Sequence, residues 1–192
     1  DRAHVVGHSY GTLVAQEFAL IRPERVRSLV LIGATATGLD NAVIQQFLLP
    51  LVEGEWKEVL QKRPGFQWPQ DAYQLTPRDI DPHIDAWLAQ NWVVELAASP
   101  EFCAQVVPDT ASVKLGAWIG MLRNLARADN RERLQLLSVP TLVTWATQDN
   151  FFIEPFQATL RQALDAAVAK RRGRYVYKTY GRVPMPASGN TE

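Results

Sequence analysis

Cysteine occurs once, at Cys103, so no internal disulfide can form and nothing points to an oxidising compartment. Histidine is nearly as scarce: His4, His8 and His83 are the only three, and none follows in the C-terminal half. Neither sign of charge is in excess, with 20 Lys and Arg against 20 Asp and Glu. No whole-chain field therefore draws the protein to nucleic acid or to an anionic membrane. Apolar runs such as Leu29–Ile32 with its flanks fall far short of the roughly 20 residues of a membrane helix. Metal-ligand spacings, phosphate loops, nucleotide fingerprints, internal repeats and low-complexity tracts are all missing. What remains is a chain of 192 residues, 47% apolar and 21% charged, with the composition of a folded domain and enough apolar material for a sizeable core.

The ends carry their own expectation. Asp1-Arg2-Ala3 opens without Met or a signal-peptide pattern, and Ser188-Gly189-Asn190 leads to Glu192 through a turn-rich stretch. The chain is expected to be an internal piece of a longer protein.

Three zones follow one another. In residues 1–38, His4-Val5-Val6 forms a short strand ending at Gly7. A helix runs on from Thr12, with Leu13, Val14, Phe18 and Ile21 on or near one face, until Pro23 ends it. Val26–Ile32, with its continuous apolar run Leu29–Ile32, reads like the strands buried on both faces of a parallel sheet, which completes a βαβ unit. Residues 39–137 show no strand run but several helical stretches, with proline breaks expected at 50, 64, 69, 77, 82, 100 and 108, and tryptophans at 56, 68, 87, 92 and 118. An all-helical insertion is the simplest account. In residues 138–192 the α/β rhythm resumes: a strand over Thr141–Ala146, the turn Thr147–Asn150, and a helix opened by Pro155. That helix carries a stripe of Phe156, Leu160, Leu164 and Val168, and a last strand covers Arg174–Tyr180.

Gly7-His8-Ser9-Tyr10-Gly11 is a G-x-S-x-G sequence between a strand and a helix. Three fixed positions at roughly 7% each arise by chance in about one chain in fifteen of this length, so the context carries the weight. A strand that turns this sharply into a helix holds Ser9 in a strained backbone with its Oγ exposed. Side chains at positions 7 and 11 are expected to collide with neighbouring backbone, which calls for glycine at both. The helix N-terminus behind Ser9 offers free N–H groups, so the amide of Tyr10 can hydrogen-bond a developing oxyanion.

Here the chain resembles the α/β-hydrolase superfamily, of the capped type with a serine nucleophile. The resemblance covers Arg2–Ala34, the elbow with its following helix and strand, and Leu137–Asp149, the strand and turn that present the acid. It implies an α/β fold, a mostly parallel sheet flanked by helices. Residues 1–38 and 138–192 form its two core parts, and 39–137 forms an inserted helical cap. By the same resemblance Ser9 is the nucleophile, Asp149 the acid that orients the histidine, Tyr10 the oxyanion donor, and Gly7 and Gly11 the elbow glycines. The family's base is a histidine after the last strand, hence after about Tyr180, and this sequence has none there. Strands that precede the elbow strand in the family are absent too, which leaves one sheet edge open. The chain alone is expected to be inactive.

Other candidates read more plainly. His8 is a pocket-wall or packing residue, His83 a surface or packing residue, and His4 sits at the wrong end of its strand. Asp40 is the runner-up acid. The middle-zone tryptophans form cap core or line an apolar pocket. Lys170-Arg171-Arg172 suits a helix C-terminus on dipole grounds, and Cys103 is a small packing residue. The expected activity is hydrolysis of an ester or related acyl bond of a small, apolar molecule through an acyl-enzyme. No metal or organic cofactor is required, no nucleic acid or membrane span is involved, and the setting is cytoplasmic. Alternatives on the same scaffold are an acyltransferase, a cofactor-free haloperoxidase or a carbon–carbon-bond hydrolase. From another class comes a non-catalytic pseudo-enzyme.

Overall fold

The computed structural model describes residues 1–91, 99–170 and 172–181. Trp92, Arg171 and the tail from 182 onward lie outside the described residues. In chain order the strands are β1 (Ala3–His8), β2 (Val26–Ile32), β3 (Thr141–Ala146) and β4 (Tyr175–Tyr180). The helices are α1 (Tyr10–Ile21), α2 (Lys57–Gln61), α3 (Ile84–Asn91), α4 (Pro100–Ala111), α5 (Leu115–Leu125) and α6 (Glu154–Ala169). The chain divides into two compact units, Asp1–Asn41 with Arg127–Glu192, and Ala42–Ala126.

The first unit is α/β. Its strands lie in the order β1-β2-β3-β4 and every pairing is parallel. Leu29 of β2 stands opposite Val5 of β1 and Thr141 of β3, and Thr141 stands opposite Tyr175 of β4. One face of the sheet carries the core: Leu29, Leu31 and Val143 meet Ala15 and Ala19 of α1 and Leu160, Ala163 and Leu164 of α6. The run Val26–Ile32 is strand β2 in full, but its burial alternates rather than covering both faces. Leu29 and Leu31 are buried, whereas Ile32 is exposed, as are Val6 of β1 and Val176 of β4. The elbow strand β1 stands at a sheet edge, as the sequence led us to expect.

Helix α1 corrects the sequence reading of its packed face. It buries Thr12, Leu13, Ala15, Gln16 and Ala19, while Val14, Phe18 and Ile21 are 54%, 40% and 63% exposed. Alanines at 15 and 19 let the helix approach the sheet closely. Gln16 tolerates full burial because its amide is satisfied: Nε2 donates to the Thr35 carbonyl at 2.8 Å and Oε1 accepts from Asn130 Nδ2 at 3.1 Å. In α6 the expected four-residue stripe holds at its centre only. Leu160 and Leu164 are buried, Phe156 is half-buried, and Val168 is exposed. A spacing of four overshoots the 3.6-residue turn by about 40° per step, so a long stripe walks off the packed face.

The second unit is helical. A helical backbone runs from Ile44 to Gln61, with wider π-type turns over Ile44–Leu48 and Pro50–Trp56 leading into α2. Pro50 and Pro108 therefore do not break helices as the sequence suggested: Pro50 opens a π-type turn segment and Pro108 lies inside α4. A proline inside a helix forfeits one hydrogen bond, and in α4 the carbonyl of Pro108 still accepts from Ser112 N at 3.1 Å and Ser112 Oγ at 2.7 Å, which carries the helix on to its end. Trp56 and Trp118 are buried and meet edge to face, ring centroids 5.8 Å apart, while Trp68 and Trp87 are half-buried. Trp68 Nε1 donates to Glu53 Oε2 at 3.0 Å, and Arg123 donates to both oxygens of the same carboxylate. The chain leaves and re-enters the sheet unit through a short bridged pair. Thr37 pairs antiparallel with Asp129, Gly38 N donates to Ala128 O at 3.0 Å, and Asn130 N donates to Ala36 O at 2.7 Å. Residues Leu134 and Leu137 belong to the core of the sheet unit.

Candidate active site

Strand β1 stops at His8 and helix α1 starts at Tyr10, so Ser9 alone makes the turn between them. Its backbone has φ 51° and ψ −126°, a conformation open to glycine and strained for serine. The surroundings over-determine it. Ser9 N donates to the Ile32 carbonyl at 3.0 Å, and the Ser9 carbonyl accepts from Thr12 N at 2.9 Å and Thr12 Oγ1 at 2.6 Å. Ser9 is exposed. The next amide, that of Tyr10, heads α1, where a helix offers it no carbonyl of its own.

The two elbow glycines differ. A Cβ on Gly7 would lie 2.5 Å from the Gly11 carbonyl oxygen and 2.8 Å from Thr12 Cα, all backbone. A Cβ on Gly11 would meet nothing within 4 Å. The collision expected at both positions thus exists at Gly7 only, because helix α1 turns its backbone toward residue 7 and the outer side of Gly11 away.

Asp149 follows β3 in a tight turn closed by its own N–H to Ala146 O at 2.9 Å. Its Oδ1 accepts from Phe151 N at 2.8 Å and Phe152 N at 2.9 Å, an Asx turn that fixes the carboxylate. Oδ2 points toward Gly33, 3.8 Å from where a Cβ there would sit. Gly33 has φ 57°, follows β2 directly, and donates to Thr144 O at 3.0 Å. Ile32 holds the elbow and Gly33 faces the acid, so two consecutive residues at the end of β2 stand between Ser9, at the carboxyl end of β1, and Asp149, beyond that of β3. The end of β4 arrives at the same turn: Thr147 N donates to Tyr180 O at 2.8 Å.

Further side chains brace this turn and were not singled out from sequence. Trp145 Nε1 donates to Phe152 O at 3.0 Å, Asn41 Nδ2 to Phe151 O at 2.7 Å, and Gln157 Nε2 to both Phe152 O and Ala34 O. The signal that could have found Gln157 is a glutamine on the same helical stripe as Leu160 and Leu164. Asp40, the runner-up acid, is exposed with φ 58° on the loop after β2, and its charge acts on Arg131. His4 shares a hydrogen bond with Ser28 Oγ at 2.7 Å rather than with Ser9, and His8 is exposed at the end of β1. Among the described residues no group of three or more His, Cys, Asp or Glu could hold a metal ion. No described helix is long and apolar enough to cross a membrane.

A parallel sheet bearing a strained serine at a strand-to-helix elbow defines a protein of the α/β class, with Ser9 and Asp149 at the carboxyl ends of its strands. The chain belongs to the alpha/beta hydrolase fold family, whose model it matches over residues 1–172. It is similar to RutD of Azorhizobium caulinodans, which carries the name of a carbamate hydrolase. The two are 29% identical over 165 residues, 83% of this chain and 53% of that one. It is also similar to a 2-hydroxy-6-oxononadienedioate/2-hydroxy-6-oxononatrienedioate hydrolase of Pseudomonas putida, 29% identical over 170 residues, 84% of this chain and 50% of that one. Among solved structures, a hydrolase from Pseudomonas aeruginosa PA01 shares the fold with TM-score 0.59 and 19% identity, covering 94% of this chain and 57% of that one. The chain spans about half the length of these curated relatives.

Proposed function

We propose that this chain is the nucleophile- and acid-bearing part of a serine hydrolase that cleaves an ester or related acyl bond of a small, apolar molecule. The observation that carries the reading is the backbone of Ser9, an exposed residue held between β1 and α1 at φ 51° and ψ −126°. A conformation this costly persists where chemistry needs it. Ser9 Oγ attacks the carbonyl carbon as a histidine takes its proton, and the Tyr10 amide holds the oxyanion. Asp149 orients that histidine and stabilises its charge, the leaving alcohol takes the proton, and water then releases the acyl group from Ser9. The histidine comes from outside these residues, since none follows His83, so the chain alone is inactive. The arrival of β4 beside the Asp149 turn supports a base carried on the segment beyond that strand. Residues 1–38 and 138–192 are the core parts and 39–137 the cap, of which Ala42–Ala126 forms the compact helical body. The enzyme works in the cytoplasm without metal or organic cofactor.

A second reading has specific support. Several relatives are named as hydrolases of 2-hydroxy-6-oxo acids. Such names contain no ester, so water must enter at a ketone with cleavage of a carbon–carbon bond. The decisive experiment takes the full product of the gene that encodes this segment and reacts it with a fluorophosphonate. Labelling that disappears in Ser9→Ala supports the nucleophile, and equal labelling in the variant refutes it. Turnover of an aryl ester against a 2-hydroxy-6-oxo acid then separates the two readings.

A further inference from the structure

We infer that Gln157 is the positioning residue of the acid turn: its buried amide ties the Asp149 loop to the end of β2 and to β4. The inference rests on Asp149 acting as the acid proposed above. Gln157 has no solvent exposure, and its side chain is fully used. Nε2 donates to Ala34 O at 2.9 Å and to Phe152 O at 3.0 Å, and Oε1 accepts from the Tyr177 hydroxyl at 2.7 Å. The orientation of the amide follows from its partners, because two carbonyl oxygens only accept and must face the NH2 end. The three partners sit on different pieces of the site. Ala34 follows Gly33, which faces Asp149 Oδ2. Phe152 donates its own N–H to Asp149 Oδ1, and Tyr177 lies on the strand whose end bonds the turn at Thr147.

One side chain thus fixes the spacing between the β2 end, which also carries the elbow's anchor Ile32, and the carboxylate. Such a residue touches neither nucleophile nor substrate and acts only through Asp149. A buried amide with every donor and acceptor engaged holds its partners far more rigidly than apolar contact does. Gln16, the other buried glutamine of this unit, braces Thr35 and Asn130 instead, so the two divide the loop after β2 between them.

The test is amide hydrogen exchange of the complete enzyme, read at Phe151 and Phe152, the two N–H groups that hold Asp149 Oδ1. Gln157→Met keeps the volume and removes all three hydrogen bonds. Exchange at both amides is expected to rise about tenfold beyond any change in global stability, alongside a shift of the Asp149 carboxyl carbon resonance. Leu164→Ala, a core truncation on the same helix, is expected to raise exchange globally without singling out these two. Should Gln157→Met not fold, Tyr177→Phe removes the bond accepted by the amide oxygen, along with the hydroxyl's own link to Arg161, and is expected to raise the same two rates about threefold. Exchange at Phe151 and Phe152 within twofold of the parent, in Gln157→Met if it folds and otherwise in Tyr177→Phe, overturns the inference. Activity plays no part in this readout. A failure of the Asp149 assignment, read from the kinetics of Asp149→Asn in the complete enzyme, is therefore a separate result.

Discussion

Replacing Gly7 by alanine places a methyl carbon 2.5 Å from the Gly11 carbonyl oxygen and 2.8 Å from the Gly11 carbonyl carbon and Thr12 Cα. Carbon contacts are optimal at about 3.5–4.0 Å, and every atom in the way is backbone, so no rotamer change relieves the overlap. Overpacking of this kind costs about 1–3 kcal/mol where side chains can give, and Gly7→Ala is expected at or above the upper end, about 3 kcal/mol. At about 2–4 °C per kcal/mol for a chain of this size, the melting temperature should fall by about 6–12 °C. Gly11→Ala has the opposite sign. Its methyl group meets nothing within 4 Å, it lies in the first turn of α1, and exchanging glycine for alanine in a helix gains up to about 1 kcal/mol. A rise of about 2 °C is expected. Thermal and urea melts of both variants by circular dichroism decide the matter. A Gly7→Ala melt within a degree of the parent's, or equal losses for the two variants, refutes the steric account of the elbow.

Ser9→Gly should be more stable than Ser9→Ala by about 1–2 kcal/mol in urea denaturation, because glycine takes φ 51° without strain and alanine does not; equal stabilities would remove strain from the elbow. In the helical unit, burial acts to raise the Glu53 carboxyl, but hydrogen bonds from Arg123 and Trp68 outweigh it and hold the group below its ordinary 4.5. The ion pair therefore contributes in full above that value and is lost as pH falls through the folded-state value, a slope that Glu53→Gln should flatten at a cost of about 1 kcal/mol at neutral pH. Burial, then the hydrogen bond to Asp165, push the Tyr175 phenol up to about 12 from 10.0. Since the neutral phenol is the favoured form, its stabilisation is complete below pH 10.0 and disappears between there and about 12. Phenolate absorbance should show this late transition, and Tyr175→Phe should abolish it.

Much of the sheet unit is legible in the residues, since its elements are short and sharply bounded. Val26–Ile32 and Thr141–Ala146 are segments rich in apolar residues, one closed by Gly33 and the other opened after Pro140, and they are strands β2 and β3 as read. The packed face of α1 is not legible by periodicity. Apolar spacing shows where Val14, Phe18 and Ile21 lie relative to one another, whereas the face that packs is chosen by how closely backbone can approach. Small Ala15 and Ala19 and a satisfied Gln16 win that contest. Gln157 hides for the same reason. A buried amide is recognisable only once its carbonyl partners, residues 34 and 152, are known to converge. The prolines at 50 and 108 mislead because a proline costs one hydrogen bond without forbidding helical turns on either side of it.

The strain at Ser9 bears on function more directly than the motif does. G-x-S-x-G asks only for three residue types, and a relaxed serine between two glycines would satisfy it. What the chain builds instead is a serine locked at positive φ by a hydrogen bond to the next strand, two bonds from Thr12, and a glycine that alone lets helix and strand close to van der Waals contact. None of these devices stabilises the sheet better than a glycine at position 9 would, and glycine would remove the strain they have to contain. They hold in place the one thing glycine lacks, a hydroxyl, on a residue that ends β1 and is anchored to the end of β2. On the function proposed above, chemistry at that hydroxyl is what the strain serves, and the Ser9→Gly and Ser9→Ala pair measures the strain's cost directly.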